Sequence, residues 1–225
     1  LPRITIENLS KCFGCLRALD DISLSLEAGQ RLAIIGANGA GKSTLLNCVA
    51  GISAPQKGRV DFPVNTCIGY LAHKSFLYDE MTAQANLHFW ACLSGVENYR
   101  TRAAELIEDA LLDERAADKV RSLSAGMQKR VALCRAVMNK PDILLLDEPY
   151  SAFDQSGMVF LKKVIAQMSQ TNGIVIMATH YIEQAVADCT HVALLHRGRL
   201  EMFETVERVD IKMLRDALAK QGAKA

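Results

Sequence analysis

The chain has 225 residues, half of them hydrophobic and 23% charged. This is ample apolar material for one large domain or for a core carrying an inserted subdomain. Its 26 Lys and Arg against 25 Asp and Glu leave a formal net charge of +1, which gives no general reason to expect a nucleic-acid partner or an acidic-lipid anchor.

In chain order, the opening Leu1-Pro2-Arg3-Ile4-Thr5 lacks the apolar core and small-residue cleavage site of a signal peptide. No apolar run approaches the roughly 18–20 residues of a bilayer span. A cytosolic chain is expected, with any membrane role exerted through a partner. Ile4, Ile6 and Leu9, then Ile22, Leu24 and Leu26, alternate as strands with one buried face do. Seven cysteines are scattered along the chain, as suits reduced thiols. Cys12 and Cys15 form a C-x-x-C, either a functional thiol pair or chance spacing in a loop; no second ligand pair nearby favours the former. A turn over Glu27-Ala28-Gly29-Gln30 then leads into the apolar run Leu32-Ala33-Ile34-Ile35.

That run feeds directly into Gly36-Ala37-Asn38-Gly39-Ala40-Gly41-Lys42-Ser43, the G-x-x-x-x-G-K-[ST] phosphate-binding loop. Glycines 36, 39 and 41 permit torsions and close approaches that a Cβ would block. Successive N–H groups, those of Ala37, Asn38, Ala40 and Thr44 included, can then turn inward around a phosphate at the positive end of the following helix. Lys42 would reach the β- and γ-phosphates, and the Ser43 hydroxyl would complete a Mg²⁺ shell.

The helix predicted from Lys42 to about Val49 stops at Gly51, with Pro55 beyond it. Residues 55–63 read as turn, short strand and turn, and Ile68-Gly69-Tyr70-Leu71 as a strand. From Thr82 the period changes: Leu87, Phe89, Trp90 and Leu93 fit one helical face, and Ala104, Leu106, Ile107, Ala110 and Leu111 another. Residues 81–140 are therefore read as a helical subdomain inserted in a single domain over residues 1–225, whose core occupies about 1–80 and 141–225. A strand at 143–146, a helix at 158–168, a strand at 174–177, a hairpin around Arg197-Gly198 and a helical stripe of Ile211, Leu214 and Leu218 complete an α/β chain.

Ile143-Leu144-Leu145-Leu146-Asp147-Glu148 places a carboxylate at the C-terminal end of a buried strand, where open α/β sheets bind ligands. Asp147 would hold Mg²⁺, through water, since that ion keeps part of its hydration shell. Glu148, one residue on, is placed to polarise an attacking water as general base, a role that commonly contributes ~10²–10⁴ in rate.

Between the two nucleotide motifs stands Leu123-Ser124-Ala125-Gly126-Met127-Gln128, similar to the L-S-G-G-Q signature of ATP-binding-cassette (ABC) ATPases and followed by a helix read at 128–139. Ser151-Ala152-Phe153-Asp154 resembles that family's D-loop, His180 its switch histidine and Phe13 its adenine-stacking aromatic. The resemblance covers essentially the whole chain. It implies a P-loop NTPase core of RecA-like type with an N-terminal antiparallel β subdomain and an inserted α-helical subdomain, and ATP and Mg²⁺ as cofactors. It also implies two cassettes paired head to tail, each ATP lying between one phosphate loop and the partner copy's signature helix. Ser124 and the backbone of Ala125 and Gly126 would face the γ-phosphate from across that pair. His180 would contact it and hold the attacking water or Glu148 in position, and Asp154 would couple the two sites.

Two departures stand out. Ala125 replaces the first signature glycine but keeps its N–H. His73, after Gly69-Tyr70-Leu71-Ala72, replaces the Q-loop glutamine, which touches Mg²⁺ or the attacking water. Either its protonation adds charge beside Mg²⁺, so that acidification depresses ATPase activity more steeply than in a His73→Gln variant, or the substitution is tolerated without pH consequence. Gly69-Tyr70-Leu71-Ala72-His73, Asn86-Leu87-His88-Phe89-Trp90, Ser124-Ala125-Gly126 and Phe153-Asp154-Gln155-Ser156-Gly157 together resemble the ATPases of bacterial haem exporters of cytochrome c maturation.

The resemblance implies an ATP-hydrolysing translocase subunit, peripheral on the cytoplasmic face of the cell membrane, with membrane-spanning permease subunits and a second cassette as partners and no nucleic acid. Phe76, Leu77, Tyr78 and Met81 either line the groove for a permease coupling helix or belong to the subdomain core. A soluble ABC switch, or a nucleotide-binding scaffold without turnover, are the other readings. The former has no heptad arm or zinc quartet to support it, and Lys42, Asp147, Glu148 and His180 speak against the latter.

Overall fold

The computed structural model describes residues 1–151 and 153–222. Two long antiparallel strands open the chain, β1 (Arg3–Phe13) and β2 (Leu16–Glu27). β3 (Arg31–Ile35) follows, then α1 (Lys42–Val49), β4 (Lys57–Asp61) and β5 (Ile68–Leu71). Three helices come next, α2 (Ala83–Leu93), α3 (Tyr99–Asp109) and α4 (Ala125–Val137). The chain then alternates β6 (Ile143–Asp147), α5 (Gln155–Gln170), β7 (Ile174–Thr179) and α6 (Ile182–Asp188), and closes with β8 (His191–His196), β9 (Arg199–Thr205) and α7 (Ile211–Gly222).

β2, β1 and β4 form an antiparallel sheet, and β5-β6-β7-β3-β8-β9 a second one, parallel except for the β8–β9 hairpin. The parallel strands are apolar throughout because both faces of their sheet are covered. Successive side chains point to opposite faces. Ile143 and Leu145 accordingly pack with the antiparallel sheet and α1, while Leu144 and Leu146 pack with the helices on the other side. Helices α2 to α4 lie between β5 and β6 in sequence, yet these strands pair directly. The register sets Asp147 opposite Ala178, and Ile35 opposite Thr179. The phosphate-loop strand, the carboxylate strand and β7 thus end at one edge.

Several expectations shift in detail. The helix read at 158–168 begins at Gln155, because Asp154 caps it by accepting the Gly157 N–H at 2.8 Å. The helix read at 128–139 begins at Ala125, where the Ser124 hydroxyl accepts from Met127 N–H. α6 follows His180 without having been read from the sequence. The apolar face read on α2 is overturned: Leu87 is buried, but Phe89 and Leu93 are exposed and the buried positions are Ala83, Asn86, Leu87 and Ala91. Asn86 is buried because its amide bonds the backbone of Tyr78 and Thr82. Leu111 and Ala104 are also solvent-exposed; Leu111 ends α3 in a left-handed turn at φ +53, and Ala103 and Leu112 fill the core positions.

Candidate active site

The three loop glycines serve different ends. A Cβ on Gly36 would stand 2.4 Å from the Leu195 carbonyl oxygen, so this residue is small for close approach. Gly39 has open space but φ +78, a torsional need. Gly41 has both constraints, with φ +107 and a Cβ that would lie 2.4 Å from the Ala18 carbonyl.

The Lys42 side chain folds back into this loop. Its Nζ donates to the carbonyls of Gly36 at 2.7 Å and Ala37 at 3.2 Å, and lies 3.8 Å from Glu148 Oε1. Burial lowers the Lys42 ammonium from its ordinary range, and the charges of Glu148 and Asp147 oppose that fall. Ser43 Oγ donates to Asp147 Oδ1 at 3.0 Å. Asp147 is buried, and desolvation holds its carboxyl above the usual carboxylate range, with the Ser43 bond acting the other way. A hydroxyl beside an ionisable buried carboxylate is the oxygen donor pair that suits a hard cation sharing its shell with phosphates and water.

Glu148 adopts φ +48, a left-handed conformation uncommon for a residue with a Cβ. Its N–H continues the β6–β7 ladder to the Ala178 carbonyl at 2.8 Å. His180 Nδ1 lies 3.0 Å from Glu148 Oε2, close enough for ion pairing, while Oε2 has no hydrogen-bond partner among the described residues. An unsatisfied, largely buried carboxylate oxygen beside an imidazole is a place where a water can be held and deprotonated.

Phe13, residues 38–44, His73 and Glu148 line a single cavity of about 450 Å³. Phe13 is 54% exposed at its mouth, with Lys11 Nζ 5.3 Å from the ring centroid. Ala37 sits elsewhere in the loop, its N–H donating to Gln221 Oε1 of α7 at 3.2 Å. Ser124, Ala125, Gly126 and Asp154 do not line this cavity. The first three form the start of α4, with Ser124 and Ala125 exposed. The Asp154 carboxylate is half exposed, and besides capping α5 it pairs with Arg130 at 3.2 Å. Ala152 of the D-loop lies outside the described residues.

Three neighbours escaped the sequence reading. Lys129 of α4 donates to the backbone carbonyls of Glu148 and Ser151, and burial pulls its ammonium down to about 8. No local sequence pattern marks Lys129 as half-buried. Arg130 is itself buried, donating to the Ala110 carbonyl at 2.7 Å. Gln221 reaches the phosphate loop from a tail helix whose sequence shows only an apolar stripe.

Comparison with known proteins agrees with this geometry. A family model described as ABC transporter matches residues 19–151. The linearmycin resistance ATP-binding protein LnrL of Bacillus subtilis is 31% identical over 206 residues, 86% of this chain and 66% of its own. An uncharacterized ABC transporter ATP-binding protein of Methanocaldococcus jannaschii is 32% identical over 94% of this chain and 81% of its own. The Fe(3+) ions import ATP-binding protein FbpC of Pseudomonas fluorescens is 35% identical over 88% and 60%. The chain thus spans from 60% to 81% of these relatives' lengths. Among solved structures, the dimeric bacterial ABC transporter cassette MJ0796 superposes with a TM-score of 0.83 at 27% identity, over 90% of this chain and 98% of that one. The same cassette in a post-hydrolysis state bound to ADP and Pi gives 0.80 over the same shares. From the matched residues and these relatives, the chain belongs to the ABC transporter family, as an ATP-binding cassette of that family's ATPases.

Proposed function

We propose that this chain binds Mg·ATP in the cavity between Phe13 and Glu148, hydrolyses it as one of two paired cassettes, and drives separate membrane-spanning permease subunits. The observation that carries the reading is the separation of two halves of one site. Lys42, Ser43, Asp147, Glu148 and His180 gather at the sheet edge, whereas Ser124 caps a helix whose exposed N-terminus takes no part in lining that cavity. A helix N-terminus favours anions, and a second copy in head-to-tail orientation would bring it to the γ-phosphate. The dimeric cassette structures support the pairing.

In this reading the loop N–H groups and Lys42 hold the phosphates, and Phe13 stacks on the base. Ser43 and Asp147 would hold Mg²⁺, whose role is to neutralise charge on the phosphates, with His73 at the same cavity. Glu148 takes the proton of the attacking water, and His180 orients it. Among the described residues no helix is long and apolar enough to cross a membrane; the subunit works peripherally at the cytoplasmic face of the membrane, bound to the permease. As cargo, haem for cytochrome c biogenesis rests on His73 and the Ser124-Ala125-Gly126 signature, while relatives carry names for linearmycin resistance, Fe(3+) import and aliphatic sulfonate import.

The test is the oligomeric state of Glu148→Gln measured by light scattering. Saturation with Mg·ATP is expected to convert it from monomer to dimer, since the triphosphate persists. A protein that stays monomeric under those conditions overturns the proposal.

A further inference from the structure

Lys129 stands on α4, the helix that Ser124 caps, and sends its side chain into the turn after β6. Its ammonium donates to the Glu148 carbonyl at 2.6 Å, the Ser151 carbonyl at 2.5 Å and the Ser151 hydroxyl at 3.2 Å. All three protons of the ammonium are thereby used. The Ser151 hydroxyl in turn donates to the Glu148 carbonyl at 2.9 Å, closing residues 148–151 on themselves. The Phe153 ring lies 5.2 Å from Nζ, within cation–π range. On the opposite side, the Tyr150 hydroxyl donates to Asp188 Oδ2 at 2.8 Å. The turn is therefore held from α4 on one flank and α6 on the other.

Burying an ammonium costs desolvation energy, which an apolar residue of similar length would avoid. A residue chosen for packing alone would not be lysine. Glu148 also sits in a left-handed conformation at φ +48, of the kind that persists where the surrounding structure holds it.

We propose that Lys129 is a positioning residue for hydrolysis, pinning the backbone of Glu148 to the signature helix so that the carboxylate is held in place for the attacking water. A displacement of α4 by the partner copy's nucleotide is then passed to Glu148 through this side chain. The inference rests on Glu148 being the base.

The test is steady-state ATP hydrolysis by the full chain. Lys129→Met is expected to lower kcat about ten- to hundredfold, the penalty of a misplacement near 1 Å, with KM for ATP changed less than about twofold because the phosphate loop is untouched. Lys129→Arg, which donates to the same carbonyls, is expected to recover most of kcat. In a Glu148→Gln background, Lys129→Met is expected to bring no further loss. If Lys129→Met does not fold, Lys129→Gln carries the same comparison. A Lys129→Met kcat within twofold of wild type beside an inactive Glu148→Gln overturns the positioning role and leaves the base intact. An active Glu148→Gln overturns the base itself. Equal loss in the Met and Arg variants, in step with lowered melting temperature, makes Lys129 a packing residue and overturns the proposal.

Discussion

Ser43 Oγ donates a hydrogen bond of 3.0 Å to Asp147 Oδ1, joining two motifs 104 positions apart in the chain. β7 lies between their strands in the sheet, so the bond spans two strand spacings at the sheet's carboxyl edge. It is made by the first turn of α1 reaching over the edge rather than by neighbouring strands. This contact fixes where a cation would sit relative to the phosphate loop, and the first prediction follows from its electrostatics.

Burial raises the Asp147 carboxyl above its ordinary value in the folded chain. A raised folded pKa favours folding fully below the unfolded value, about 3.9 for Asp, and that contribution is lost as pH rises through the folded value. At neutral pH the buried carboxylate therefore burdens the nucleotide-free protein. Asp147→Asn is expected to raise its melting temperature at pH 7 by about 2–4 °C, the response of a domain this size to ~1 kcal/mol. The advantage should vanish towards pH 4, and Mg-dependent hydrolysis should be lost. Thermal melts across pH check this, and equal melting temperatures at pH 7 would sink it.

Gly39 and Gly41 separate torsional from steric constraint. Gly39→Ala meets only a positive φ in open space and is expected to cost about 1–2 kcal/mol. Gly41→Ala adds a Cβ 2.4 Å from the Ala18 carbonyl, forcing β2 away from the loop, and is expected to cost at least twice as much. Denaturant midpoints of the two variants rank them; the reverse order would contradict the geometry.

Asp154 caps α5 and neutralises the buried Arg130. Asp154→Ala is expected to lose about 1–3 kcal/mol, from the cap and from a guanidinium left short of an acceptor. Asp154→Asn keeps the cap and should lose less. Chemical denaturation distinguishes them, and an unaffected Asp154→Ala would place the residue outside the stability of this fold.

Phe76 and Tyr78 are 44% and 48% exposed, which removes them from the core. Tyr78 packs edge-on to Phe89 at 5.1 Å, and the Arg135 guanidinium lies 5.5 Å from the Phe76 ring and 5.4 Å from Trp90. Leu77, by contrast, packs against the core. Solvent-facing aromatics around a cation suit a protein interface. Changing Phe76 and Tyr78 together to Ala should abolish transport in the assembled complex while ATP hydrolysis by the free subunit stays within about twofold. A variant that fails to fold would return these residues to the core.

The boundaries that local chemistry dictates were legible beforehand. The loop glycines, Lys42 and Ser43 stand at the spacing expected of a phosphate-binding loop, and helix α1 begins and ends as its Gly41 and Gly51 require. The buried strand before Asp147 follows from its unbroken apolar run. What sequence could not supply was direction. An amphipathic reading of α2 chose Leu87, Phe89, Trp90 and Leu93 because they are apolar, whereas the tertiary structure buries Leu87 and Asn86, leaves Trp90 half-buried and exposes Phe89 and Leu93. A buried polar group is stable where its amide meets backbone partners, here Tyr78 and Thr82 just before the helix, and periodicity carries no information on such partners. Lys129 escaped for the same reason, since its acceptors lie in a turn brought to it only by the packing of α4. The chain's chemistry was written locally in its motifs; their meeting at one sheet edge was decided by strand order, which depends on contacts between residues far apart in sequence.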